Sequence, residues 1–238
     1  MKTNQLYLDD SYLQEMDAKI LEVLPESEGK YRLLLDQTIF YAMGGGQATD
    51  QGKLMSPDWS GNVYQVVMKD GELWHYVASK NAPTTGVTVR GTINWDRRYK
   101  NMQKHSAGHI IDFAMYILGY SPSPLMPYRG DHDRKLYIVY QGTLDKDIRQ
   151  ELEDKSNELI EKDLKFSWLF QPYEELIKEA IYLQPGLPTN KPLRTLRLEN
   201  VGAVADGGTQ VRSTKEVGHI SIPSIEQQDG NTIVNYTI

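Results

Sequence analysis

The N-terminal part of the chain consists of short apolar segments separated by residues that favour turns. The segments comprise residues 18–24, 31–35, 63–68, 72–77 and 87–93. Asp70-Gly71 lies between two of them, and Asp-Gly between two strands is a strong signal for a tight hairpin. Short strands at this spacing are typical of a small β-barrel. We therefore predict a barrel domain at residues 1–92.

The remaining residues, 93–238, mix helical and extended patterns. A helix is predicted from about Trp95 to Gly119, with Asp96 as its N-cap and Gly119 as its stop. A second, amphipathic helix is predicted at 145–165. Predicted strands occupy residues 135–141, 166–170, 193–198, 218–222 and 232–238. The fold class that we predict is α+β, with the barrel followed by an α+β domain.

Composition and charge exclude several classes of protein. The chain has 238 residues, which accommodates two domains, and 39% of them are hydrophobic. No apolar run approaches the roughly 18 residues of a membrane span, and the first residues lack the apolar core of a secretion signal. We therefore expect a soluble, cytoplasmic protein with no membrane partner. A net charge of -6 disfavours extended electrostatic binding, and we expect no DNA partner.

Two short motifs carry residues that bind metals. His105 and His109 are four apart in the predicted helix, so their imidazoles project from one face. Asp206 and Gln210 have the same spacing, and the glycines between them allow a tight turn. The chain has no cysteine, so a metal would need nitrogen and oxygen ligands. On these residues alone, a pair of core histidines satisfied by neighbours is the favoured alternative.

A glycine-rich segment and a basic cluster are candidate contacts for a phosphate-bearing partner. Three successive glycines let a large partner approach the backbone, although a wide turn explains them equally well. The basic cluster lies in the first turns of the predicted helix, where a solvated helix face is the favoured alternative. The residues concerned are Gly44, Gly45, Gly46 and Gln47 in the first group, and Arg97, Arg98 and Lys104 in the second.

Three separated segments resemble one protein family. Residues 96–111 and 207–218 are similar to the editing domain of alanyl-tRNA synthetases and of the free-standing AlaX-type alanyl-tRNA editing proteins. Residues 40–47, Phe-Tyr-Ala-Met-Gly-Gly-Gly-Gln, resemble the Phe-Tyr-Pro-x-Gly-Gly-Gly-Gln motif in the N-terminal barrel of the longer AlaX type. The resemblance covers nearly the whole chain and implies an editing domain like those of alanyl- and threonyl-tRNA synthetases.

The resemblance implies a hydrolase that deacylates alanine tRNA mischarged with serine or glycine. The family binds zinc through His-x-x-x-His and a later Cys-x-x-x-His, and these positions correspond to His105, His109, Asp206 and Gln210. Asp206 stands in place of the cysteine and Gln210 in place of the histidine. A set of two histidines and one carboxylate can hold zinc, manganese or iron(II) with an open position, and a water held without metal is the alternative.

The resemblance also implies roles for the other motif residues. Thr209 and Gln210 are expected to line the catalytic pocket, and Gly44 to Gln47 to face the acceptor end of the tRNA. Arg97, Arg98 and Lys104 are expected to steer phosphate. Two other functions stay open: a tRNA-binding module of the same fold without activity, and a metal-dependent hydrolase of another small ester or amide.

Overall fold

The computed structural model describes residues 3–238. The chain divides into two compact units, Met1–Lys100 and Asn101–Ile238. The division falls within the long helix α1, Trp95–Ile117. The predicted domain boundary after residue 92 therefore stays a prediction.

The first unit contains a closed barrel of six antiparallel strands in the order β2-β3-β7-β6-β5-β8. Its strands are β1 Asn4–Gln5, β2 Glu15–Ser27, β3 Lys30–Leu35, β4 Gln37–Thr38, β5 Gly52–Ser56, β6 Trp59–Lys69, β7 Glu72–Ala78 and β8 Thr88–Ile93, where β1 and β4 form a separate parallel pair. Asp70 and Gly71 join β6 to β7 with φ of 54° and 81°. Such positive φ values are those of the tight hairpin turn that Asp-Gly predicts.

Alternating burial along the barrel strands produces the core of this unit. In β2 the residues from Glu15 to Ile20 alternate between exposed and buried. The buried set, which includes Ile20, Leu33, Leu54 and Val66, forms one apolar cluster inside the barrel. A polar exception is His75, which is fully buried, with Nε2 2.7 Å from Thr38 Oγ1 and Nδ1 3.3 Å from the Leu33 carbonyl oxygen.

The second unit contains two antiparallel sheets, most of helix α1 and the helices α2 and α3. One sheet has the order β14-β15-β10-β9 and the other β11-β12-β13. Its elements after α1 are β9 Met126–Asp131, β10 Tyr137–Gln141, α2 Arg149–Glu161, β11 Phe166–Gln171, α3 Tyr173–Leu176, β12 Leu193–Leu198, β13 Gly202–Ala205, β14 Ser221–Gln228 and β15 Asn231–Thr237. The predicted α+β fold with an N-terminal barrel is confirmed.

The start of α1 differs from the prediction. Asn94, not Asp96, caps the helix, because Asn94 Oδ1 accepts a hydrogen bond from the Arg97 backbone N–H at 3.1 Å. Asp96 instead lies in the first turn, where a negative charge interacts favourably with the helix dipole. The predicted stop is correct, since Gly119 follows the helix with a φ of 78°.

The length and hydropathy of the helices show whether any of them could span a membrane. Among residues 3–238, no helix combines the length and the apolar character needed to traverse a bilayer.

Candidate metal centre

Helix α1 presents His105 and His109 on one buried face. Their four-residue spacing brings the two rings one above the other, with centroids 4.9 Å apart and planes 26° from parallel. Neighbouring residues such as Met102, Ile110 and Phe113 are fully buried, so this face packs into the interior of the unit. The two imidazoles are therefore held away from bulk solvent.

The segment that follows β13 brings Asp206 to the same point. Asp206 Oδ1 lies 3.6 Å from His105 Nε2 and 3.6 Å from His109 Nε2. One donor atom from each of the three residues lies within 4.8 Å of the others. The structure thus brings together the three residues that were predicted from the sequence as metal ligands. Whether they bind a metal stays a prediction.

The Asp206 carboxylate is held by three further groups. Its Oδ1 accepts a hydrogen bond from the Gly208 N–H at 3.0 Å, and its Oδ2 accepts one from Gln210 Nε2 at 3.0 Å. Arg194 of β12 lies 3.4 Å from Oδ2 through Nη1, which also donates to the Gly208 carbonyl oxygen at 2.9 Å. The Arg194 guanidinium in turn lies over the Trp168 ring, 5.3 Å from its centroid. These contacts fix both oxygens of the carboxylate.

Gly208 allows a close approach and does not serve a left-handed turn. Neither Gly207 nor Gly208 has a positive φ, and the backbone bends at Gly208, so the tight turn expected from these glycines stays a prediction. A Cβ on Gly208 would lie 2.2 Å from His105 Cε1 and 2.4 Å from His105 Nδ1. Only glycine therefore leaves room for the His105 ring at this position.

Gln210 connects Asp206 to helix α1, and Thr209 precedes Gln210 in the same segment. Both side chains are fully buried, and their place in the lining of the catalytic pocket stays a prediction. The Gln210 amide lies between two elements, because Oε1 accepts from Ser106 Oγ at 2.6 Å while Nε2 donates to Asp206. Gln210 is thus oriented to hold Asp206 against α1 and not to coordinate an ion.

A carboxylate that sequence reasoning missed lies behind His109. Asp112 Oδ2 is 3.8 Å from His109 Nδ1, and the Asp112 carboxylate accepts hydrogen bonds from Tyr140 at 2.7 Å and Tyr182 at 3.1 Å. Metal-binding histidines commonly direct their second ring nitrogen to a carboxylate. The i, i+3 spacing of Asp112 from His109 was the available signal, since it predicts a shared helix face.

Burial and charge shift the pKa values of these groups in different directions. Burial lowers the pKa of His105 to about 4, with His109 and Arg194 adding to the effect and Asp206 opposing it. Burial also acts to lower the pKa of His109, but Asp206 and Asp112 outweigh it and leave that pKa above its ordinary value. Burial acts to raise the pKa of Asp206, yet His105, His109 and Arg194 hold it well below its ordinary value. At neutral pH the site therefore contains a neutral His105 beside an ionised Asp206.

The three donors suit a divalent cation. Both ring nitrogens of His109 are buried and have no hydrogen-bond partner among the residues that the structure describes. Buried polar atoms are normally satisfied, so Nε2, which lies 3.6 Å from Asp206 Oδ1, indicates a missing partner such as an ion or a water, while Nδ1 faces the Asp112 carboxylate. Two imidazoles and one carboxylate are a ligand set found in catalytic metal sites that keep an open position.

The glycine-rich segment forms a turn at the surface. Gly44 and Gln47 exchange two backbone hydrogen bonds of 2.9 and 3.3 Å, and Gly45 and Gly46 have φ of 54° and 76°. These positive φ values explain why glycine occupies both positions. The Gln47 side chain is only 1% exposed, which corrects the expectation that it faces the tRNA. A tRNA contact by Gly44, Gly45 and Gly46 stays a prediction.

Of the three basic candidates, Arg98 does not contact phosphate. Its side chain is fully buried, and Nε donates to Asp50 at 2.9 and 3.1 Å while Nη1 donates to the Ser11 carbonyl oxygen at 2.8 Å. Arg98 is therefore a structural ion-pair partner, and its predicted role was wrong. Arg97 and Lys104 are half-buried and donate to backbone carbonyl oxygens, and their contact with tRNA stays a prediction.

Comparison with known proteins identifies the family. Residues 10–97 match the family model for class II (A) tRNA synthetases. The chain is 32% identical to the alanyl-tRNA editing protein AlaX-M of Saccharolobus solfataricus, and the alignment covers 99% of each chain. The chain belongs to the AlaX-type alanyl-tRNA editing proteins. The resemblance noted in its motifs is thereby confirmed.

Two further relatives are longer than this AlaX-type chain. It is 31% identical to AlaX-L of Pyrococcus horikoshii over 92% of its own length and 53% of that protein. It is 30% identical to the alanine–tRNA ligase of Halobacterium salinarum over 96% of its length and 25% of the ligase. This AlaX-type chain thus spans a quarter of the ligase, about half of AlaX-L and nearly all of AlaX-M.

Proposed function

We propose that this chain hydrolyses the ester between a wrongly attached serine or glycine and the terminal adenosine of alanine tRNA. The observation that carries the proposal is the convergence of His105, His109 and Asp206 on one point in a chain of the alanyl-tRNA editing family. An aminoacyl ester is already activated, so a positioned water and a polarising group are sufficient for its hydrolysis.

The ligand set in this proposal is His105 Nε2, His109 Nε2 and Asp206 Oδ1. A divalent cation bound there supplies Lewis-acid polarisation and lowers the pKa of a bound water. The carboxylate in place of a thiolate favours harder ions, so we propose manganese or iron(II) as well as zinc.

The surrounding residues keep the three ligands in position. Gln210 and Arg194 bind Asp206 Oδ2, which leaves Oδ1 directed to the two imidazoles. Asp112 lies near His109 Nδ1, and a proton on that nitrogen leaves Nε2 with its lone pair free to coordinate. In this arrangement the chain supplies orientation, while burial excludes competing water.

The test is a deacylation assay on alanine tRNA charged with serine, glycine or alanine. The purified protein is assayed with zinc, with manganese, with iron(II) and with a chelator. We expect hydrolysis of the seryl or glycyl ester, little hydrolysis of the alanyl ester, and loss of activity in His105→Ala and Asp206→Ala. His219→Ala is the matched control, since His219 is exposed and is not part of the metal-binding group.

Two results would overturn the proposal. Tight tRNA binding without hydrolysis under any metal would indicate a binding module of the same fold. Absence of tRNA binding, together with hydrolysis of other small esters, would indicate a different metal-dependent hydrolase.

A further inference from the structure

A third imidazole, His132, lies against the candidate metal centre. It directly follows β9 and is 7% exposed. Its ring is stacked on His105, with centroids 4.8 Å apart and planes 21° from parallel. His105 is in turn stacked on His109, so three imidazoles form one column. Sequence reasoning did not identify His132, because it belongs to neither motif.

Hydrogen bonds anchor His132 to two other elements. Its Nδ1 is hydrogen-bonded to the Tyr236 hydroxyl of β15, and that hydroxyl donates to the Lys104 carbonyl oxygen in α1 at 3.0 Å. A carbonyl oxygen only accepts, so the single tyrosine proton is used there, and His132 Nδ1–H donates to the tyrosine oxygen. The ring is thus fixed in one tautomer.

Two glycines form the slot in which His132 lies. A Cβ on Gly108 would be 2.5 Å from His132 Cε1, and a Cβ on Gly130 would be 2.8 Å from the same atom. Any other residue at either position would displace the ring or the backbone. Gly108 belongs to the His-Ser-Ala-Gly-His motif. The close approach of His132, which lies outside the motif, explains why this position is glycine.

We infer that His132 is a positioning residue that fixes the plane of the His105 ring and thereby directs His105 Nε2 towards the cation position. His132 itself is not in the group of mutually close donor atoms, so it acts through His105 and not as a ligand. The inference rests on the proposed function for its metal-binding consequence. The stacking of His132 on His105, which is the other basis of the inference, does not depend on the proposed function.

The first test is a titration of the full-length protein with cobalt(II), followed by its visible absorption. Loss of a group that orients a metal ligand typically weakens metal binding by about 10- to 100-fold, and we expect this for His132→Ala. His132→Phe keeps a flat ring against His105 and should bind cobalt more tightly than His132→Ala. Tyr236→Phe keeps the stack without the anchor and should be intermediate, while His219→Ala should match the wild type.

A second measurement separates this inference from the proposed function. Nuclear Overhauser contacts of the His105 ring protons in the metal-free protein should report one ring orientation in the wild type, and signals averaged over several orientations in His132→Ala. Cobalt affinity in folded His132→Ala equal to that of the wild type would overturn the inference. If the wild type binds no cobalt, the metal proposal fails, and unchanged His105 ring signals in His132→Ala would then overturn the positioning role as well.

Discussion

Replacing Gly108 by alanine should destabilise this protein, contrary to the usual effect of that change in a helix. Alanine is normally favoured over glycine in a helix interior by about 1 kcal/mol. Here the new methyl group would lie 2.5 Å from His132 Cε1 and 3.3 Å from the Tyr236 hydroxyl. Overpacking of this kind typically costs about 1–3 kcal/mol. The expected net result is a loss of about 1 kcal/mol in the free energy of unfolding.

A double-mutant cycle isolates the cause. Gly108→Ala is compared in the wild type and in His132→Ala, with urea unfolding followed by circular dichroism. Removing the imidazole removes the clash, so alanine should then be neutral or stabilising, and the coupling energy should be about 2 kcal/mol. If Gly108→Ala stabilises both backgrounds equally, the slot that we describe for His132 does not exist.

Two further predictions concern the barrel unit. Asp50→Ala leaves the Arg98 guanidinium buried without its carboxylate and should lower the free energy of unfolding, measured by urea denaturation, by about 3–5 kcal/mol. The double variant Asp50→Leu/Arg98→Met removes both charges and should recover much of this loss. A cost below about 1 kcal/mol, as for a surface ion pair, would contradict the burial of the pair. Burial lowers the pKa of His75 to about 4 from its ordinary 6.5, so the unfolded chain takes up a proton first as pH falls. The free energy of unfolding should therefore decrease by about 3 kcal/mol between pH 6.5 and pH 4, and an equally steep decrease in His75→Gln would refute that origin.

Local sequence patterns were sufficient to predict the barrel and the long helix. The alternation of apolar residues in β2 and the Asp70-Gly71 turn are determined by residues adjacent in the sequence, so the sequence alone is sufficient to predict them. The cap was misassigned because Asn94 and Asp96 both have good capping side chains, and only the backbone conformation distinguishes them.

The sequence was sufficient to predict that His105, His109 and Asp206 come together, but not which residues hold them in place. His105, His109 and Asp206 fall in two motifs with helical spacing, and the resemblance connects those motifs. Arg194 of β12 and His132, which follows β9, reach the same site from other parts of the chain, and no local pattern relates them to it. Arg98 was misread for the same reason, because the burial that pairs it with Asp50 is a property of the folded barrel.

The most direct test of the central claim is the rate of seryl-tRNA deacylation as metal is returned to stripped protein. The substrate is alanine tRNA charged with serine, and the rate is measured at increasing ratios of zinc or manganese to protein. We predict a rate that rises with added metal and stops rising at one equivalent, with no rise in Asp206→Ala. A rate that is the same with and without metal, or that rises equally in Asp206→Ala, would contradict a catalytic metal held by His105, His109 and Asp206.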